Sequence, residues 1–447
     1  MIRNLKLAAI SRTASGSVVK ARKICYTAAR RQEHLPNSSS PITPKLEFFN
    51  SVTGSSEKQI PTYRVLDGVG KPIDGAELPE IDEALARKLY ETMQLLPTLD
   101  NVLYNVQRQG KISFYMTAHG EEATIVGSAA ALAMDDEVLG QYREMGVLLW
   151  RGFSLENVMN QCFGNELDTS GKGRQMPVHF GSPQHHFHTI SSPLATQIPQ
   201  AAGVAYALRR TPSRRSRSIA ACFFGEGAAS EGDFHAGLLL ASTIPSPALF
   251  IARNNGFAIS TPSTEQFYGD GIASRGPGYG IDTIRVDGND VLAVISAVRE
   301  ARRRCLEQGR AVLLEAMTYR VGHHSTSDDS FAYRARSEVE DRKRIDNPIA
   351  RFRLFMESQG WWNADEETEL KARLKANVMK AFKKAEGLKR CEIGELFTDV
   401  YGGEQPWNIK EQREELAGLL KKYGETWEPW RTELAKFKNK GQDLLGR

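Results

Sequence analysis

The sequence predicts an α/β fold, a doubly wound and mostly parallel sheet with helical N- and C-terminal extensions. Three observations predict it. Residues 219–224 and 248–252 are short continuous apolar runs, the pattern of strands buried on both faces of a parallel sheet. Between them lie Gly225-Glu226-Gly227 and a helical stretch at 235–243 with Leu238, Leu239 and Leu240, so the unit reads strand, Gly-rich turn, helix, strand. Two more short strands, at 284–286 and 311–316, flank a helix capped by Asp290 that carries Val291, Val294, Ile295, Val298 and Ala301 inward.

The remaining elements follow in chain order. Residues 1–33 read as a mitochondrial presequence, because Arg3, Lys6, Arg12, Lys20, Arg22, Lys23, Arg30 and Arg31 precede the first acid, Glu33. Removing those eight charges takes the formal net charge from +4 to −4, so the basic balance gives no support to a nucleic-acid partner. Residues 34–62, rich in Ser, Pro and Thr, read as a flexible link, and 63–346 as the α/β domain with its N-terminal helical extension. Residues 78–109 carry Ile81, Leu85, Leu89, Leu96 and Leu99 on one side, with Gly110 as a stop and Pro97 expected to kink or divide the helix. A second helix is expected at 121–134, its small residues 127–131 allowing close packing. Residues 209–217 form a basic surface loop. From 347 to 447 the chain turns helical and charged, and this extension, with Trp361, Trp362, Tyr401 and Trp407, is expected to pack on a partner subunit. Five scattered cysteines without Cys-x-x-Cys spacing suggest neither a disulfide framework nor a zinc site. Apolar runs fall short of the roughly 18 residues of a membrane helix.

The chemistry concentrates where the two central strands end. Gly225 and Gly227 let backbone N–H groups approach a phosphate, and the helix that follows offers its positive dipole end. Glu226 would repel that phosphate unless a cation sits between them. A carboxylate and the Asn255 side-chain oxygen, delivered by adjacent strand ends, are hard ligands suited to Mg²⁺. A dinucleotide fingerprint fails, since its third glycine would be Ser230, and no Gly-Lys-Ser/Thr follows for a P-loop. On residues alone, a plain structural turn remains the competing reading of a metal-diphosphate site. Other candidates are equally two-sided. Tyr142-Arg143 could be surface, residues 191–197 could be a helix N-cap with Pro193 in the first turn, and His323-His324 could be a metal pair or solvated.

Gly225-Glu226-Gly227, twenty-six residues, then Asn254-Asn255 resembles the thiamine-diphosphate (ThDP) fingerprint. The runs GEGAASEGDFHAG, RNNGFAISTP, GDGIASRGPGYGI and YRVGHHSTSDDS are similar to the alpha subunit of the branched-chain 2-oxo acid dehydrogenase decarboxylase, from about Tyr63 to Tyr423. Glu226 in place of the commoner Asp fits that group, and Phe257 stands where Tyr is usual.

The resemblance implies a sheet of the ThDP-binding type and three cofactors: ThDP, Mg²⁺ and K⁺. It implies Mg²⁺ on Glu226, Asn255 and the Phe257 carbonyl, and K⁺ on Ser191, Pro193, Thr196 and Gln197. It places Tyr142, Arg143, Ser192, Leu194, Gly227, Ala228, Arg253 and His324 against ThDP, gives catalytic roles to His324 and Arg320, and sets the loop 171–181 near the entrance. His324, with an ordinary near-neutral imidazole, would serve in either protonation state. Ser325 matches the family's phosphorylation site, whereas the second such site reads Ala335. On residues alone, Ser325 is an ordinary loop hydroxyl beside Asp328 and Asp329. The implied reaction is decarboxylation of a branched-chain 2-oxo acid and acyl transfer to a lipoyl arm, in the mitochondrial matrix. Since one sheet holds only the diphosphate half of a ThDP site, a beta subunit should complete a heterotetramer of two alpha and two beta chains. A lipoyl-bearing acyltransferase, and a kinase and phosphatase, would be the other partners; neither nucleic acid nor membrane is expected. A pyruvate dehydrogenase alpha subunit and a non-catalytic paralogue are the alternatives, the latter opposed by the retention of Glu226, Arg253, Asn255 and His324.

Overall fold

Continuous apolar strands need cover on both faces, and the chain supplies it from helices on each side of one sheet. The computed structural model describes residues 35, 40–49, 59–423, 426–427 and 431–435; the presequence expected at 1–33 lies outside them. The strands are β1 (Ile42–Thr43), β2 (Thr62–Tyr63), β3 (Glu137–Leu139), β4 (Phe187–His188), β5 (Ala220–Gly225) and β6 (Ala248–Asn254). A small antiparallel hairpin, β7 (Phe257–Ala258) and β8 (Thr261–Pro262), precedes β9 (Asp282–Asp287) and β10 (Val312–Met317). The eight-stranded sheet has the order β1-β2-β9-β10-β6-β5-β3-β4, and each of its pairs is parallel.

Period-two alternation divides the core. Ala221, Phe223, Leu249 and Ile251 face one hydrophobic cluster, while Ala220, Cys222, Phe224, Phe250 and Ala252 face the other. The first cluster is covered by α1 (Glu83–Arg108), α2 (Glu122–Ala131), α3 (Met145–Trp150), α4 (Leu155–Phe163) and, later in the chain, α9 (Val291–Gln308). The second is covered by α5 (Gln197–Arg210) and α6 (Gly232–Thr243), which pack on each other; the short α7 (Ser263–Gln266) and α8 (Arg275–Gly278) lie between β8 and β9. Close approach explains the small residues of α2: a Cβ on Gly127 would stand 3.0 Å from Val294 Cγ1 of α9.

Three expectations need correcting. The link is partly sheet, since β1 pairs with β2, β2 with β9, and Phe49 bridges Thr283. Two-residue strands bond through backbone alone, so a Ser/Pro/Thr composition carries no strand period to read. Helix α1 is not divided at Pro97 but continues to Arg108, and Gly110, at φ +73°, follows its cap Gln109. Its face of Leu89, Met93, Leu96, Leu99 and Leu103 is fully buried, and each such side chain contributes roughly 1.5–3 kcal/mol, against about 3 for the proline. Finally, much of the C-terminal extension packs on this chain. After α10 (Arg336–Ile345), α11 (Pro348–Ser358) lies on α1, and α12 (Ala364–Glu386) lies on α1 and α4. Trp362 is 7 % exposed, edge-on to Tyr90 at 5.1 Å, with its Nε1 donating to Glu367 at 3.0 Å. Trp361 packs against Phe355. Tyr401 and Trp407, the latter opening α13 (Trp407–Tyr423), remain exposed at 50 % and 76 %.

Candidate active site

The site is built where β5, β6 and β10 end. After Gly225 the chain turns through Glu226-Gly227, makes one 3₁₀ turn at Ala228–Ser230 and enters α6, one turn earlier than the sequence suggested. Gly227 serves close approach, and the turn needs no left-handed backbone. Neither Gly225 nor Gly227 has a positive φ, and a Cβ on Gly227 would stand 3.0 Å from that of Ala258. Gly225 N donates to Gln141 Oε1 at 2.6 Å, which ties this turn to the end of β3.

A cavity of about 510 Å³ opens here, and Tyr142, Arg143, Ser192, Leu194, Glu226, Gly227, Ala228, Arg253, Asn255, Phe257 and His324 all line it. Phe114, Met116 and Met176 add apolar wall, and His179 of the 171–181 loop reaches it as well. Glu226 is buried; Asn255 N donates to its Oε2 at 3.1 Å. Burial, and then the nearby Glu121, push the Glu226 carboxyl up to about 7. Asn255 Nδ2 donates to Glu121 Oε1 at 2.7 Å, and its Oδ1 accepts from Phe257 N at 3.3 Å.

Arg253 pairs behind the cavity with Glu121 and, through Nε at 2.7 Å, with Glu144. Burial opposes its charge, but those two carboxylates more than offset it and raise its pKa. Glu144 also accepts from Gln141 N at 2.8 Å and Tyr142 N at 2.9 Å, so one carboxylate joins the Gln141–Arg143 turn to β6. Arg143 donates to the His324 carbonyl at 3.0 Å and lies 3.3 Å from its Nδ1. A guanidinium only donates, so Nδ1 accepts and the imidazole proton sits on Nε2. Burial first, then Arg143 and Arg320, lower the His324 pKa to about 3. The imidazole is therefore neutral across the physiological range, which corrects the expectation that it could serve in either state. Ser192 Oγ lies 2.8 Å from His179 Nε2, whose ring bonds the Pro177 carbonyl through Nδ1.

The two histidines diverge. His323 turns away to Ser330, whose N donates to its Nδ1 at 3.0 Å, and stacks near Tyr104. Arg320 does not line the cavity. It is buried, donating to Ile259 O and Tyr333 Oη at 2.7 Å and to Phe257 O at 3.3 Å. Ser325 also lies off the cavity, 7 % exposed, with its Oγ accepting from Ser327 N at 3.2 Å. The segment 191–197 corrects the helix-cap reading: α5 starts only at Gln197, so Pro193 is outside it. Ala195, buried at φ +65°, curls this loop so that Ser192 and Leu194 reach the cavity. Thr196 Oγ1 donates to the Pro193 carbonyl at 3.3 Å, and Gln197 Nε2 to Phe223 O at 2.9 Å. Among the described residues, no three His, Cys, Asp or Glu side chains cluster to hold a metal, and no helix is long and apolar enough to cross a membrane.

A dehydrogenase E1 component family model matches residues 90–393, which span the cavity and every element around it. The chain belongs to the dehydrogenase E1 component family. E1 components of this family imply thiamine diphosphate as cofactor. The chain is 54 % identical over 392 residues to "2-oxoisovalerate dehydrogenase subunit alpha, mitochondrial" of Macaca fascicularis, covering 87 % of this chain and 86 % of that protein. Identity to the Homo sapiens protein of the same name is 53 %, with the same coverage. To that of Caenorhabditis elegans it is 51 % over 393 residues, covering 88 % of this chain and 89 % of that one.

The E1 site fits the diphosphate of that cofactor. Arg253 Nη2 is buried without a hydrogen-bond partner, in a residue that lines the cavity. Glu226, Asn255 and Phe257 line the same cavity, and a carboxylate, an amide oxygen and a backbone carbonyl are the kinds of oxygen that would suit a cation that also takes phosphate oxygens. Sequence reasoning placed the 171–181 loop near the entrance without singling out His179, and it missed Glu121, Gln141 and Glu144. The one signal for them was adjacency, Gln141 and Glu144 flanking Tyr142-Arg143 and Glu121 opening an apolar helix.

Proposed function

We propose that this E1 chain is the alpha subunit of a ThDP-dependent dehydrogenase of branched-chain 2-oxo acids. It would act in the mitochondrial matrix with a beta subunit in a heterotetramer, passing the acyl group to a lipoyl-bearing acyltransferase. One observation carries the reading: the Gly-Glu-Gly turn after β5, Asn255 after β6 and His324 after β10 converge on one cavity, in a chain 54 % identical to a 2-oxoisovalerate dehydrogenase alpha subunit. Proteins named mitochondrial at this identity support the location.

When bound, ThDP supplies the carbon nucleophile and electron sink for decarboxylation. Arg143 and Arg253 hold the diphosphate, with Tyr142, Ser192, Leu194, Gly227 and Ala228 around it. Glu226, Asn255 and the Phe257 carbonyl would hold Mg²⁺, whose charge would favour the ionised Glu226 carboxylate that burial disfavours. Oxygens of Ser191, Pro193, Thr196 and Gln197 would hold K⁺ and so brace the loop that carries Ser192 and Leu194. Neutral His324 donates through Nε2–H to the reacting oxygen, and Arg143 fixes its tautomer. Arg320 keeps the 257–259 turn in place through its bonds to Phe257 O and Ile259 O. The beta subunit supplies the groups facing the other half of the cofactor, and the exposed Tyr401 and Trp407 offer it a surface. A kinase would act on Ser325, reversed by a phosphatase. Because Ser325 is buried in the loop, that loop must leave its place before it can be modified.

The test is co-expression with a branched-chain-type beta subunit, comparing decarboxylation of 4-methyl-2-oxopentanoate and pyruvate. Preference for the branched substrate is expected; preference for pyruvate would replace this reading with a pyruvate dehydrogenase.

A further inference from the structure

Two buried carboxylates stand by Asn255, and the reading above uses only Glu226. The other, Glu121, is 0 % exposed at the start of α2 and does not line the cavity. Its Oε1 accepts from Asn255 Nδ2 at 2.7 Å, its Oε2 accepts from Arg253 Nη1, and Arg143 Nε lies 3.7 Å from Oε1. An asparagine amide has nearly the same shape at both ends, and only one end offers an oxygen to a cation. Here both ends are committed. With the amide reversed, Oδ1 would face the Glu121 carboxylate and Nδ2 would face the Phe257 N–H, two repulsions in place of two bonds.

We propose that Glu121 is a positioning residue for the cation-binding half of the site, fixing the Asn255 amide with its oxygen toward the cavity. The same carboxylate braces Arg253 from behind, so the cation ligand and the phosphate-binding cation share one anchor. The inference rests on the cation reading of Glu226, Asn255 and the Phe257 carbonyl.

The measurement is the Mg²⁺ concentration that half-saturates ThDP binding, by calorimetry on the alpha–beta assembly. Glu121→Ala, Glu121→Asp, Asn255→Ala and the Glu121→Ala/Asn255→Ala double variant are compared. Glu121→Asp keeps the negative charge beside Arg253 and withdraws the acceptor from Asn255 by one methylene. Both single changes at Glu121 should raise the Mg²⁺ requirement, Glu121→Ala by roughly 10- to 100-fold, the usual loss when the group orienting a metal ligand is removed. The double variant should fall well short of adding the two effects, because Glu121 acts on the cation through that amide and only its brace on Arg253 is left to lose. If Asn255→Ala raises the requirement and the Glu121 variants do not, or if the double variant adds both effects in full, the inference is overturned and the cation reading stands. If Asn255→Ala itself changes nothing, the cation reading falls and takes this one with it. Should Glu121→Ala fail to assemble, Glu121→Asp decides: an unchanged Mg²⁺ requirement overturns the proposal.

Discussion

Acid should destabilise this chain through His324, and by an amount the site geometry sets. The imidazole is half-buried and faces the guanidinium charges of Arg143 and Arg320; Asp328 pulls the other way but does not compensate. Burial first, and those charges second, hold its pKa near 3, against an ordinary value of 6.5. Below about pH 6.5 the unfolded chain therefore takes up a proton that the folded chain refuses. The contribution is fully present above that pH and is lost progressively as pH falls toward 3. At 1.36 kcal/mol per pH unit, acidification from above pH 7 to about pH 5 should remove about 2 kcal/mol on this account alone. His324→Asn, which cannot titrate, should lack that part of the loss. The assay is urea unfolding of parent and variant at several pH values across this window, before cofactor is added. A ¹³C-labelled imidazole read by NMR gives the pKa directly. Parallel loss of stability in parent and His324→Asn, or an imidazole that titrates near 6.5, refutes the argument and with it the neutral donor assigned to His324.

Other outcomes follow from the same geometry. Glu226→Ala should abolish Mg²⁺-dependent ThDP binding and Asn255→Ala should raise its Mg²⁺ requirement, each with circular dichroism unchanged, whereas Phe257→Ala should cost packing against Tyr333, 6.0 Å away, and leave ligation intact because its carbonyl remains; calorimetry showing parental affinity in both ligand variants would discard the metal site. Ser325→Glu should be nearly inactive in the alpha–beta assembly with a lipoyl-domain acceptor, and Ser325→Ala active. A carboxylate set in that buried position is desolvated, and it would disrupt the turn in which Ser325 Oγ accepts from Ser327 N, next to His324. Parental turnover in Ser325→Glu removes the proposed switch. Trp362→Ala should cost the chain about 3–5 kcal/mol through the cavity left beside Tyr90, while Trp407→Ala should leave chain stability unchanged and weaken assembly. Equal unfolding midpoints for the two variants would contradict this division between inward and outward aromatics.

The sequence by itself determined the central unit. Residues 219–224 and 248–252 read as strands buried on both faces, being too short for helices and without the alternation that would leave a face for water, and β5 and β6 lie there. Gly225-Glu226-Gly227 and Asn254-Asn255 carried the diphosphate reading because a local turn and two strand ends are encoded within some thirty residues of one another. What the tertiary structure alone decided is everything that bonds across long separations. Glu121 reaches Arg253 and Asn255 over more than 130 residues, and Gln141 meets Gly225 and Glu144 meets Arg253 across the sheet in the same way. A buried carboxylate carries no periodicity, so nothing local marks it as a partner rather than a surface acid. The sheet edge at 40–49 and 62–63 was illegible because backbone pairing is indifferent to side-chain pattern. His324 shows the same limit in electrostatics: its residue type promised a titration near neutrality, and two arginines and the loss of water, visible only in the folded chain, move it out of that range.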